Sequence, residues 1–289
     1  DGSFSFENIP YGTWYVREIE QPTGFVLDDT IYPVTIGADG QVVEIEIVNR
    51  YVRGNIHLTK VDSEYPDNKL TGATFEVYKD SNANGKLDDG DELLGTLTEK
   101  EKGEYSMNDL FYGRYFVKET KAPEGFVLDT GVYEVMIDTN GKTCEVENKA
   151  GVGFINDAMR GNLKIVKTSS DGKVKGFAFR ITGANGYDII LETNDKGEIF
   201  IDGLRIGDYT ISEVSNSASS MYVIPADKKA TVKLGSTTIV EMHNVLRDTP
   251  KTGDTTNLPL LYTLAGLSAV GIAVCGVIGF KKKKKEDRN

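Results

Sequence analysis

The sequence predicts an all-β protein: tandem antiparallel β-sandwich domains followed by one C-terminal transmembrane helix. Short runs that alternate aromatic or aliphatic with polar residues fill the chain before residue 258. They are separated by turn signals such as NANGK, DTNGK, SSDGK and NDKGE, and helical periodicity is nearly absent there. One spacing recurs three times, as Gly2, Gly12 and Glu18, as Gly103, Gly113 and Glu119, and as Gly197, Gly207 and Glu213. Each copy therefore carries the same strand and turn register, and the repeat sets the domain count. The helix is read from the uncharged run Leu258 to Phe280, which at ~1.5 Å per residue spans roughly 34 Å, enough for the ~30 Å core of a bilayer.

A chain of 289 residues, 39% hydrophobic and 27% charged, is long enough for two to three domains with cores of their own. Its net charge is −11, and the lysine-rich end makes the remainder more acidic still, which excludes nucleic acid as a partner. Of the two cysteines, Cys144 falls in a predicted strand and Cys275 in the apolar run, so no internal disulfide is expected. The chain opens in mid-repeat, without a signal peptide or the strands that should precede Gly2, and reads as the C-terminal fragment of a longer precursor.

In chain order, residues 1–53 form the C-terminal part of a truncated sandwich, with strands around Phe4, Tyr15, Tyr32 to Ile36 and Val42 to Val48. A second sandwich occupies residues 54–160, opening with NIHLTKVD, and a third occupies 161–247, opening with NLKIVKTSSDG. Gly54 and Gly161 open them in one register: a lysine follows each at the same distance, Lys60 or Lys167, and an asparagine precedes each at the same distance, Asn49 or Asn156. Residues 248–289 hold TPKTG, the helix over 258–280 and a basic tail. Five lysines, Lys281 to Lys285, put that end in the cytoplasm and the sandwiches outside.

A glutamate held three times at one position among apolar neighbours is either a structural device or a shared chemistry. A first strand ending in TK, a YxVxE strand followed by APEGF, and a last strand ending in asparagine resemble the collagen-adhesin B-type domain, also called SpaA-like or prealbumin-like, of Gram-positive surface proteins and pilins. The resemblance covers residues 1 to about 247. It implies a covalent isopeptide bond between the lysine of the first strand and the asparagine of the last, promoted by the strand glutamate. Carried over, the sets are Lys60, Glu119 and Asn156 in the second sandwich and Lys167, Glu213 and Asn244 in the third. The truncated copy keeps Glu18 and Asn49 without a lysine.

Burial makes such chemistry intelligible. Desolvation lowers a lysine pKa and raises that of a glutamate, so both can be neutral in a core and the amine can act as a nucleophile. Fixing amine and amide on adjacent strands contributes up to roughly 7–11 kcal/mol of the barrier. The alternative is an ordinary Lys60–Glu119 salt bridge with the asparagines capping strand ends. In the second sandwich Asn148 rivals Asn156: counting forward from Glu119 favours the former, counting back from Gly161 the latter, with KAGVGFI then an insertion that extends or bulges the last strand.

DSNANGKLDDGD places Asp80, Asn82, Asn84, Asp88 and Asp91 at the oxygen positions of a calcium loop, though between strands and with Asp91 where a longer glutamate is usual. It reads either as a weak calcium site or as a metal-free Asn/Gly-rich hairpin loop, and no cofactor is required otherwise. Trp14 and the recurring tyrosines read as core or strand-face residues, and His57 and His243, with no further histidines, make no zinc set.

TPKTG ahead of an apolar span and a basic tail is similar to the LPxTG-type cell-wall sorting signal. The resemblance implies sortase cleavage between Thr252 and Gly253, with Pro250 in the motif and Thr249 where leucine is usual, then attachment to peptidoglycan or to a pilin subunit. The reading is a wall-anchored stalk of an adhesin or pilus subunit, exposed at the cell surface toward an unknown host or matrix ligand after passing through the membrane as a precursor. It is not an enzyme, lacking a histidine-based triad, a phosphate loop or a cleft-forming α/β pattern. The alternative is a set of spacer domains for a wall-anchored enzyme whose catalytic domain lies upstream.

Overall fold

The computed structural model describes residues 2–248; the sorting-signal residues Pro250, Thr252 and Gly253 and the apolar run lie outside the described residues. Regular structure among the described residues is β apart from one short turn of 3-10 helix at Ala184–Gly186. The first segment holds β1 (Gly12–Val16), β2 (Phe25–Val26), β3 (Tyr32–Ile36) and β4 (Arg50–Tyr51), paired antiparallel as β1 with β3 and β2 with β4. Phe4 and Val42 to Val48, expected in strands, are in none. A strand needs a neighbour to accept its backbone bonds, and the partner that later copies supply for this stretch is their first strand. Trp14 lies on a strand face, 43% exposed.

The second sandwich comprises β5 (Arg53–Asp62), β6 (Thr74–Lys79), β7 (Glu92–Thr96), β8 (Thr98–Glu101), β9 (Glu104–Phe111), β10 (Gly113–Lys121), β11 (Val132–Ile137), β12 (Thr143–Glu145) and β13 (Phe154–Asn156). Its sheets run β11-β10-β6-β7 and β12-β5-β9-β8, with β13 also on β5. The third comprises β14 (Arg160–Ser169), β15 (Ala178–Thr182), β16 (Asp188–Glu192), β17 (Glu198–Arg205), β18 (Gly207–Val214), β19 (Tyr222–Val223), β20 (Lys228–Val232) and β21 (Thr237–Leu246). Its sheets run β17-β14-β21-β19 and β16-β15-β18-β20.

Alternation explains the layering. Along β5 and β14 every second residue is buried, so Ile56, Leu58 and Lys60, and likewise Leu163, Ile165 and Lys167, face inward. Two cores result, one around Phe75, Tyr105, Tyr115 and Phe154, the other around Phe177, Phe179, Ile211 and Met242.

The sandwiches are not antiparallel throughout. First and last strands pair parallel, β5 with both β12 and β13 and β14 with β21. Parallel pairing needs a long crossover, and here the rest of the sandwich is that crossover. The KAGVGFI insertion loops out after β12 and then extends the pairing: its last two residues, Phe154 and Ile155, open β13, which follows β12 along β5.

Candidate functional site

In each complete sandwich the first and last strands bring a lysine and an asparagine to one face. Lys60 pairs with Phe154 and Asp62 with Asn156, so the asparagine lies two residues beyond the lysine's partner. Lys167 pairs with Met242 and Ser169 with Asn244, the same offset. Residues two apart on a strand share a face, so both asparagines point into the core beside the lysine.

Lys60 and Glu119 are wholly buried and Asn156 is 3% exposed. Asn156 Nδ2 donates to Glu119 Oε1 and Oε2 at 3.1 and 2.8 Å and to Val127 O at 2.9 Å. Asp129 N–H donates to Glu119 Oε2 at 2.8 Å. Lys60 Nζ donates to the carbonyls of Phe154 at 3.0 Å and Val61 at 3.4 Å rather than ion-pairing with Glu119. Burial draws the Lys60 pKa down to about 8 against the charges of Glu119, Asp129 and Asp62. It pushes Glu119 up, opposed by the bonds from Asp129 and Asn156 and by the Lys60 charge.

The third sandwich repeats this with fewer supports. Asn244 Nδ2 donates to Glu213 Oε1 at 2.6 Å, and Lys167 Nζ lies 4.1 Å from the Phe177 ring centroid while donating to Thr168 O. Burial lowers Lys167 and raises Glu213. Asn156 Oδ1, Asn244 Oδ1 and Glu213 Oε2 are buried without a hydrogen-bond partner. Such orphans cost about 1–3 kcal/mol each, and two of the three are the carbonyl oxygens of the candidate reactive amides.

The repeated first glycine now has a reason. Gly103 O accepts from Lys60 N–H and Gly197 O from Lys167 N–H, each at 2.7 Å. A Cβ on either would fall 3.0 Å from Lys60 O or 2.7 Å from Lys167 O. Only glycine lets the neighbouring strand hold the lysine backbone that closely.

In the first copy Asn49 Nδ2 donates to Glu18 Oε1 at 2.6 Å and Asp28 N–H to Glu18 Oε2 at 2.8 Å, as Asn156 and Asp129 do to Glu119. Asn148 lies elsewhere. Its Nδ2 donates to Asp129 Oδ2 at 2.6 Å and Ile155 O at 2.8 Å, while its Oδ1 accepts from Ile155 N–H at 2.6 Å. The side chain thus pairs with β13 as backbone would, holding the strand that ends in Asn156.

Asp129 escaped the sequence reading. It fixes Glu119 through its N–H and Asn148 through its carboxylate, and also accepts from Tyr133 Oη. Asp28 and Tyr32 reproduce this in the first copy. The signal was present as GFVLD with a tyrosine four residues on, in both tails.

The Asp80–Asp91 loop folds on itself. Asp80 accepts from Asn84 and Gly85 N–H at 3.1 Å each, Asp88 takes the Asn82 and Asn84 amides, and Asp91 accepts from Ser81 and Asp88 N–H. Among the described residues no group of three or more His, Cys, Asp or Glu is placed to hold a metal; this loop would need its asparagine oxygens. Arg114 Nη1, 3.6 Å from Asp80, already supplies a positive charge there.

The family model for the SpaA prealbumin-like fold domain matches residues 1–51, 54–150 and 161–245. The chain belongs to that family. In this SpaA-domain chain the second matched span stops inside the β12–β13 excursion, short of Asn156. The trypsin-resistant surface T6 protein of Streptococcus pyogenes is 28% identical over 194 residues, 56% of this chain and 34% of that protein. The solved Bacillus anthracis TIE protein is 27% identical, with a TM-score of 0.61 over 82% of this chain and 42% of that one. The minor pilin GBS52 of Streptococcus agalactiae, 19% identical, matches 69% of this chain and 98% of its own at a TM-score of 0.32. The SpaA-domain chain thus spans about a third of the curated surface protein and under half of the TIE chain.

Proposed function

We propose that the chain is the stalk of a sortase-anchored cell-surface protein, an adhesin or pilus subunit, whose sandwiches are closed by Lys60–Asn156 and Lys167–Asn244 isopeptide bonds. The observation that carries it is the pair of buried Lys, Glu and Asn sets in one register between first and last strands. Neutral Nζ attacks the asparagine Cγ, the Nζ–Cγ bond forms, the Cγ–Nδ2 bond breaks and ammonia leaves. Glu119 sits on the leaving nitrogen and can relay to it the proton that Nζ loses, so that ammonia departs neutral. A half-turn of the Asn244 amide exchanges Oδ1 and Nδ2, so protonated Glu213 can donate to the carbonyl across the same 2.6 Å contact. The surface location named for the streptococcal relative supports the extracellular reading.

Tandem mass spectrometry of a proteolytic digest tests the assignment in the second sandwich. A branched peptide joining Lys60 to the segment around Asn156 is expected; one ending at Asn148 overturns that choice. Anchoring is tested by fractionation of the host cell. The unaltered chain should enter the wall fraction released by muramidase, whereas Thr252→Ala with Gly253→Ala should stay with the membrane. Identical partitioning would leave a simple single-pass protein.

A weak calcium site in the Asp80–Asp91 loop belongs to the same proposal, since five side-chain oxygens there suit a hard cation and extracellular modules bind at about 10⁻⁴–10⁻³ M. Calcium should slow amide exchange in this loop of the unaltered chain and not in Asp80→Ala. No calcium-dependent change would remove the metal.

A further inference from the structure

The P-x-G-F tails after Glu18 and Glu119 take no part in the triads, yet both fold alike. Phe25 N–H donates to Pro22 O at 3.0 Å and Phe126 N–H to Pro123 O at 3.1 Å, closing two turns. Their third residues, Gly24 and Gly125, have φ of +84° and +83°, the setting that a type II turn asks of glycine. Each glycine carbonyl accepts from the linker to the next sandwich, Val52 N–H to Gly24 O and Met159 N–H to Gly125 O, both at 2.8 Å. The linker carbonyl is taken in turn by that sandwich: Tyr112 N–H donates to Val52 O at 3.1 Å and Ile206 N–H to Met159 O at 3.0 Å. Tyr112 and Ile206 hold one position in the repeat, just before its second glycine. Both also cover the turn, since a Cβ on Gly24 would lie 3.4 Å from Tyr112 and one on Gly125 4.0 Å from Ile206.

Around this common backbone relay the side chains differ. At the first junction Phe25 stacks on Tyr51 at 4.7 Å, and Arg53 lies 3.6 Å over Phe111. At the second, Arg205, which holds the Phe111 position of the repeat, grips the fully buried Asp62 with bonds of 2.6 and 2.7 Å. It also reaches Glu64 at 2.7 and 3.0 Å, and Glu64 pairs with Arg160. A bidentate, desolvated pair fixes orientation as a surface bridge does not.

In the third copy Met221 replaces the glycine. Its carbonyl still accepts from Arg247 N–H at 2.9 Å, and Tyr222 pairs with Leu246 as Phe25 does with Tyr51. But a methionine side chain, 60% exposed, stands where the other turns leave room for a neighbouring sandwich.

We propose that the P-x-G-F turn and the linker residue behind it form a docking socket for the next sandwich. The partner it fits is a domain of this same kind, presenting a residue such as Tyr112 or Ile206 ahead of its glycine. Docking aligns consecutive sandwiches as one rigid body, and Met221 closes the socket of the third copy. The socket does not depend on the isopeptide bonds.

Hydrogen exchange on the full chain, read at the amides of Tyr112 and Ile206, whose bonds end the ladder of the next sandwich on the linker residue that the turn holds, tests it. Both should exchange at least ~100-fold more slowly than in an unstructured peptide. In Gly125→Met the Ile206 amide should speed up about tenfold or more while Tyr112 is unchanged. Unprotected exchange at Ile206 in the unaltered chain, or protection kept in Gly125→Met, overturns the proposal. If Gly125→Met also exposes the core amides of Ile56 and Val117, Ile206→Ala decides, because it leaves the turn intact: faster exchange at position 206 supports the socket and unchanged exchange overturns it.

Discussion

Intact chain, folded in a neutral host without partner or cofactor, is expected to weigh less than its sequence by one ammonia for each closed sandwich, two in all. Each buried set loses one NH₃ when Nζ replaces Nδ2 on the asparagine. Lys60→Met and Lys167→Met should each restore one ammonia and together both, since an apolar side chain of similar length removes the nucleophile without burying an unpaired charge. Reaction on refolding should also slow as pH falls below about 8, where burial has placed the Lys60 pKa. The sign follows from the lone pair: a folded-state pKa drawn below the ordinary value leaves the amine neutral above it and protonated below it. Folded material at the unmodified mass would end the isopeptide reading, whatever its sorting.

Loss of covalent closure should show next as lost stability. A bond that ties first strand to last closes a loop near a hundred residues in the second sandwich, which by analogy with disulfides stabilises by roughly 4–5 kcal/mol. At ~4–8 °C per kcal/mol for a domain of this size, Lys167→Met should melt the third sandwich roughly 15–40 °C lower and leave the second sandwich's transition in place. Calorimetry on the full chain reads both transitions. Identical traces for variant and parent would mean that nothing covalent had been removed. Glu213→Ala should likewise keep the ammonia of the third sandwich, yet melt lower than Lys167→Met, because it strands a buried Lys167 and removes the acceptor of the Asn244 amide.

Much of this was legible because strand chemistry is local. The Gly, Gly, Glu spacing marks two strands and the turn between them, and alternation along NIHLTK and NLKIVK already puts Lys60 and Lys167 on the inward face. Matching steps from Asn49 to Gly54 and from Asn156 to Gly161 locate the far end of each last strand. The spans matched by the SpaA-domain family model include Lys60, Glu119, Lys167, Glu213 and Asn244 but not Asn156.

Pairing between distant segments is where local pattern stops. Asn148 and Asn156 share a parity, and only the looping-out between β12 and β13 puts Asn156 on Glu119 and leaves Asn148 clamped to Ile155. Periodicity assigns a residue to a face without saying which strand lies beside it, so the parallel pairing of β5 with β13 and of β14 with β21 was invisible. For the same reason Val42 to Val48 alternates like a strand and is not one. The sequence alone determined that Lys60 and Lys167 face inward, because burial follows a period of two along the strands that carry them. Tertiary structure alone decided which of them meet, because those bonds join residues far apart in the chain, and only folding of the intervening strands brings them together.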